Sequence, residues 1–236
     1  MQSHAVSRRD LFTYVAAATV VGATAAAPAS ARPALGTLVD YAAGVPSAAA
    51  IRAAGHIGVI RYVSDRRPGA EWMTGKPLRA TEVEQLQSVG LQIVSCYQFG
   101  KGPTADWRGG LEAGKRHAAR GLELHQAAGG PDDAPIYASI DDNPTVVEFV
   151  TMIAPYLLGW QTVLGRQRTG VYANTPTIEL AAAGGLGSWY WQHNWGTPPG
   201  FVHPVAHLHQ FEIDKRSIDG VGIDVNTVLA PEFGQW

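Results

Sequence analysis

Three aspartates each stand at or near the end of a short β-type run: Asp40 in Leu38-Val39-Asp40-Tyr41, Asp141 in Ile136-Tyr137-Ala138-Ser139-Ile140-Asp141, and Asp224 in Gly222-Ile223-Asp224-Val225-Asn226. Similar run ends carry Tyr62, Tyr97, Tyr172, Trp191, His193, Gln210 and Asn226. Carboxyl groups that converge can divide acid and base work. One donates a proton to a leaving oxygen, and another stabilises or attacks the positive centre that forms. Crowding helps, because two close negative charges disfavour joint ionisation and keep one group protonated near neutral pH. Asp141 is the candidate acid; Asp40 and Asp224 would orient it, raise its pKa or hold substrate hydroxyls. The aromatic residues offer faces on which sugar rings stack, and Gln210, Asn226 and His193 can fix hydroxyls. The plainer alternatives are a loop and helix cap for Asp141-Asp142, a turn for Asp224-Val225-Asn226, and a structural salt bridge for Asp40.

Such residues meet only if the elements bring them to one place. Eight β-type runs are visible: 37–41, 58–62, 91–97, 135–140, 169–173, 188–192, 206–211 and 220–225. Helical patterns separate the first six, at 47–54, 81–89, 107–128, 146–164 and 175–183. Gly55, Gly90, Gly129, Gly165 and Gly184 follow these patterns, where a left-handed residue would end a helix. Alternation of this kind predicts an α/β fold, a single TIM-type (β/α)8 barrel whose functional residues collect at the C-terminal ends of the strands. The last third is irregular: Pro198, Pro199 and Pro204 make the sixth link a loop, and the seventh link is too short for a helix.

The rest of the composition narrows the function. The chain has 236 residues, 46% hydrophobic, with a formal net charge of -2, which suits one packed core and gives no basic field for nucleic acid. One cysteine, Cys96, excludes an intramolecular disulfide and a cysteine-based zinc site. His193, His203, His207 and His209 have no standard metal spacing, so no metal or other cofactor is expected. Ser7-Arg8-Arg9-Asp10-Leu11-Phe12, an Ala-rich apolar stretch and Ala29-Ser30-Ala31 read as a twin-arginine signal over 1–31, with a mature chain from Arg32 and the barrel domain over 35–236. The expectation is an exported monomer with no membrane span in the mature chain and a carbohydrate, such as a cell-wall glycan, as its partner.

The same motifs resemble a known group. The chain is similar to actinobacterial glycoside-hydrolase-like proteins exported by the twin-arginine route, once a domain of unknown function, and through them to family 25 lysozymes. Asp40 matches that family's Asp closing strand one, Gly170-Val171-Tyr172 its Gly-x-Tyr strand, Trp189-Tyr190-Trp191-Gln192 its tryptophan-rich strand, Gln210 its seventh-strand Gln, and Asp224-Val225-Asn226 its closing Asp-x-Asn. The strand-four Asp-x-Glu is altered: Ser139 stands for the Asp and Asp141 for the catalytic Glu. A side chain one methylene shorter displaces a proton donor by about 1 Å, a misplacement that can cost about 100-fold. The resemblance thus implies either a wall-glycan hydrolase or a glycan-binding module on a degenerate hydrolase barrel.

Overall fold

A computed structural model describes residues 32–236. The proposed signal over 1–31 lies outside the described residues. Eight strands close a barrel in chain order: β1 (Gly36–Asp40), β2 (Gly58–Tyr62), β3 (Gln92–Tyr97), β4 (Ile136–Ser139), β5 (Thr169–Ala173), β6 (Trp189–Gln192), β7 (Leu208–Ile218) and β8 (Val221–Val228). Five helices link the first six strands: α1 (Ala48–Ala53), α2 (Ala80–Ser88), α3 (Gly110–Ala127), α4 (Val146–Leu164) and α5 (Thr175–Ala183).

Helix ends follow local chemistry. Ser47, Thr145 and Asn174 cap the starts of α1, α4 and α5 by accepting backbone N–H bonds, and the Thr145 cap is reciprocated by Glu148. Behind α5 the left-handed residue is Gly185 (φ 66°), one position later than the expected Gly184, which stays right-handed. α4 contains a π turn at Phe149–Ile153 and, by length and composition alone, is apolar enough to cross a membrane, contrary to the expectation that no later segment would be. In the fold it lies against α3, burying Ile153, Tyr156, Leu157 and Trp160. Gly114 and Gly159 permit that contact, since a Cβ on either would strike the backbone of the facing helix.

The barrel departs from a regular (β/α)8 arrangement in its last third. β1 to β7 run parallel, but β8 is antiparallel to both β7 and β1. The cause is the link: Asp219-Gly220 is a two-residue turn, long enough for a hairpin and far too short for a crossover. The hairpin tip reaches back over α1, where Asp219 accepts the Ser47 N–H at 2.8 Å.

Strand alternation sorts the side chains into two layers. Leu38, Ile60, Val94, Cys96, Tyr137, Tyr172, Trp191, Leu208 and Val228 fill the barrel interior. Val39, Val59, Ile93, Tyr97, Ile136, Ala138, Val171, Tyr190 and Val225 face outward under the helices. Asp40, two residues after Leu38, continues the interior row, as do Asn226 and Asp224 along β8 from Val228.

Candidate functional site

The interior rows of β1, β7 and β8 end in a hydrogen-bonded acidic wall. Asp40 is 2% exposed and accepts three side-chain bonds: from Asn226 Nδ2 at 2.8 Å, Gln210 Nε2 at 3.0 Å and the Tyr62 hydroxyl at 3.1 Å. The Gln210 amide also donates to Asp224 at 3.2 Å, so one NH2 group bridges the two carboxylates. Asp224 lies directly across the β1–β8 ladder from Asp40. Its other oxygen accepts the Asp214 N–H at 2.9 Å, which a break in β7 register and a left-handed Asp214 (φ 54°) turn toward it.

Burial, then the charge of Asp40, pushes Asp224 up to about 7. Asp40 is also raised by burial, against the pull of its three donors and Arg61. Asp40 has three side-chain donors and Asp224 one, so Asp40 is the better anion and Asp224 the natural holder of a shared proton.

β4 lies four strands from β8 in the ring, so Asp141 stands on the opposite wall. Its carboxylate accepts from Gln98 Nε2 at 2.7 Å and pairs with the exposed Lys101 ammonium at 3.1 Å. Asp142 turns away: it accepts the Asn143 N–H at 3.0 Å and lies 3.6 Å from Arg108. Two residues below Asp141, the hydroxyl of Ser139 is buried without a hydrogen-bond partner.

Between the walls is a cavity of about 260 Å³. Asp40, Tyr62, Asp141, Tyr172, Gln210 and Asp224 line it. Four other residues singled out in the sequence do not. Tyr97 is on the outer face of β3, stacked on His117 at 5.3 Å and against Trp160 at 5.6 Å, because its neighbour Cys96 takes the inward position. Trp191 is buried one layer down, 4.1 Å below the Tyr172 ring, with its indole N–H donated to Asn226 at 2.8 Å. Asn226 is itself fully buried, and hands that constraint on to Asp40. His193 is sealed behind Trp195, stacked at 3.9 Å, and its Nε2 meets the Ile140 carbonyl at 3.2 Å; burial lowers it to about 4, so it is neutral. Trp191, Asn226 and His193 therefore reach the cavity only through the residues they hold.

Sequence reasoning missed the β2–α2 loop. Arg67, Trp72, Met73 and Lys76 all line the cavity, as does Ile213 in the irregular part of β7. Trp72 is 56% exposed at the rim. The available signal was position: this loop follows the C-terminal end of a barrel strand. Among the described residues, no group of three His, Cys, Asp or Glu is placed to hold a metal ion.

Comparisons with known proteins agree with this architecture. Residues 49–228 match the model of the Rv2525c-like, glycoside hydrolase-like domain. The chain is 60% identical over 238 residues to the Mycobacterium tuberculosis protein named "Putative peptidoglycan hydrolase Rv2525c", covering 98% of this chain and 99% of that one. The crystal structure of the Tat-secreted protein Rv2525c of that organism in complex with L-tartrate superposes with a TM-score of 0.85 at 64% identity, covering 86% of this chain and 99% of that chain. A glycosyl hydrolase 25 of Streptococcus pneumoniae, described as a virulence factor in host cell invasion, shares the fold at 15% identity, with a TM-score of 0.54 over 84% of this chain and 88% of that chain. The chain thus shares its fold with that glycosyl hydrolase 25 and itself belongs to the Rv2525c-like glycoside hydrolase-like domain family.

Proposed function

We propose that this protein is exported and hydrolyses a cell-envelope glycan, peptidoglycan or another wall polysaccharide, in the cavity between Asp141 and the Asp40–Asp224 pair. The observation that carries the reading is the opposition of carboxyl groups on facing walls, one ion-paired and one placed to keep a proton near neutral pH. This division moves the proton from Asp141, where the sequence placed it, to Asp224. Asp224 donates to the leaving oxygen, Asp141 faces the developing positive charge as an anion, and Asp40 holds Asp224 through the Gln210 bridge. Tyr62, Tyr172, Trp72 and Gln210 contact the sugar, while Trp191, Asn226 and His193 fix those contacts from beneath. The relative's description as a peptidoglycan hydrolase and as Tat-secreted supports both the substrate and the route of export, with 1–31 as signal and 35–236 as the barrel domain.

The test is product release from peptidoglycan and arabinogalactan by the purified protein and by Asp141→Asn and Asp224→Asn, read by mass spectrometry. Release by the parent alone supports the reading. Binding without release in the parent would assign the barrel to glycan recognition, the alternative that the shortened Asp141 and the unpartnered Ser139 hydroxyl favour. Neither release nor binding would remove both.

A further inference from the structure

The β1–β8 wall of the cavity holds Asp40, Asp214 and Asp224, and the β2–α2 loop brings Arg67 and Lys76 into the same space. Lys76 is 3% exposed. Its ammonium donates to the Gln98 carbonyl at 2.8 Å and sits 3.9 Å above the centre of the Tyr62 ring. These are two weak acceptors for a group with three N–H donors, and among the described residues no carboxylate lies within salt-bridge distance of it. Among the described residues the Arg67 side chain meets only the Met73 sulfur, 3.7 Å from its Nη1. Lys101 differs, being exposed and paired with Asp141.

A buried ammonium is strongly disfavoured unless something compensates it. Here burial lowers Lys76 to about 8, which leaves it charged at neutral pH. Asp40 and Asp224 could have served as partners, yet they are tied instead to neutral amides, a hydroxyl and backbone, and Asp141 is taken by Gln98 and the exposed Lys101. The cation facing the cavity is thus left for something that enters it. Given the glycan reading above, we propose that the sugar seated beside Lys76 and Arg67 carries an anionic substituent, a carboxylate or a phosphate. Both are planar or tetrahedral acceptors that a lysine point charge and an arginine fork bind well. The substituent would set the register of the chain against the acidic wall, where a second negative group on the sugar would be repelled.

The proposal is tested by titrating the protein with glucuronate, glucose 6-phosphate and glucose, following backbone amide shifts by NMR. At least one anion should bind tenfold or more tightly than glucose, moving the Tyr62, Lys76 and Gln98 signals. Lys76→Met should abolish that preference, and glucuronate against the sugar phosphate decides between carboxylate and phosphate. Should Lys76→Met fail to fold, Arg67→Met at the half-buried rim must reduce the preference severalfold. Equal binding of all three probes, no binding by any, or a preference untouched by either variant would overturn the proposal. Wall polysaccharide with its carboxylates amidated, and separately with its phosphates removed, separates the two readings. Undiminished action on both preparations would overturn the anionic substituent and leave glycan hydrolysis standing; anion preference without any wall-glycan action would do the reverse.

Discussion

The two walls of the barrel mouth are built differently. On the β1–β8 side, Trp191, Asn226, Gln210, Tyr172 and Tyr62 form a continuous hydrogen-bonded network that fixes Asp40, and through Gln210 also Asp224. On the β4 side, Asp141 depends on one amide and one solvent-exposed ammonium, with an unsatisfied serine beneath it. The first wall is preorganised by buried neutral donors that solvent cannot replace; the second can readjust when a ligand arrives. Preorganised dipoles suit a group whose proton must be held at a set pKa, and a looser carboxylate suits a partner that moves to meet charge as it forms. The two motif differences from family 25 named in the sequence, Ser139 and Asp141, both fall on the looser wall.

The sharpest way to break this comparison is kinetic. With Asp224 as proton donor, Asp224→Asn should lower turnover about 10²- to 10⁴-fold. In the parent, activity should fall as pH rises through about 7, where Asp224 loses its proton. Asp141→Asn should lower turnover as well, while the residual activity keeps that alkaline limb. A pH–rate profile in which the limb near 7 persists in Asp224→Asn but vanishes in Asp141→Asn would return the acid role to Asp141.

The next largest effect is on folding. Asp40→Leu removes a buried charge but leaves the Tyr62 hydroxyl and the Gln210 and Asn226 amides without their acceptor. Each orphaned donor costs about 1–3 kcal/mol, partly offset by the desolvation no longer suffered by the carboxylate. A net loss of about 3 kcal/mol is expected, about 6–12 °C in Tm for a domain of this size. Asp141→Leu should change Tm by less than a third of that. Equal losses measured by calorimetry would show that the two walls are not different in kind.

How far the mouth could be read from the sequence follows the same division. Asp40, Asp224 and Gln210 were legible because period-2 alternation carries each strand's interior row directly to its end, and because the first and last strands of a barrel must be neighbours. The same rule, applied strictly, places Tyr97 outside: with Cys96 inward, its neighbour has to face the helices. The direction of β8 was also implicit in a seventh link, read as 212–219, too short for a crossover helix; in the structure β7 runs on to Ile218 and the link shrinks to Asp219-Gly220, which only a hairpin can use. Trp191 was on the correct face but one layer too deep, a distinction that depends on barrel shear rather than on alternation. Lys76 and Trp72 were not legible, because an irregular loop has no period, and its path over the mouth is set by tertiary contacts such as Gly75 packing against the backbone of Ala42 and Gly44.

A smaller effect concerns stability against pH. Asp224 is raised from 3.8 to about 7 in the fold, so between those values the folded state holds a proton that the unfolded chain has released. Its contribution is complete below about pH 4, declines as pH rises and is gone above about 7. Asp224→Asn removes this dependence; relative to the parent it should gain about 1 kcal/mol between pH 5 and pH 8, a figure reduced for solvent screening of a partly exposed group. Denaturant titrations at both pH values measure it. A parent-minus-variant difference that is flat with pH would mean Asp224 is already ionised at pH 5.

The smallest effect belongs to the rim. Trp72 is exposed and makes no hydrogen bond through its indole among the described residues, so Trp72→Ala should alter Tm by about 1 °C or less. Its ring nonetheless lines the cavity. Loss of an aromatic face against a sugar removes about 1 kcal/mol, or about fivefold in affinity. Tyr172, by contrast, stacks on Trp191 and donates to Gln210 at 2.5 Å, so Tyr172→Ala must disturb the network as well as the contact. Calorimetric binding of a wall-glycan fragment should therefore weaken in both variants, with a Tm penalty in Tyr172→Ala alone. A comparable Tm loss in Trp72→Ala would mean that the β2–α2 loop is part of the rigid framework rather than an adaptable edge.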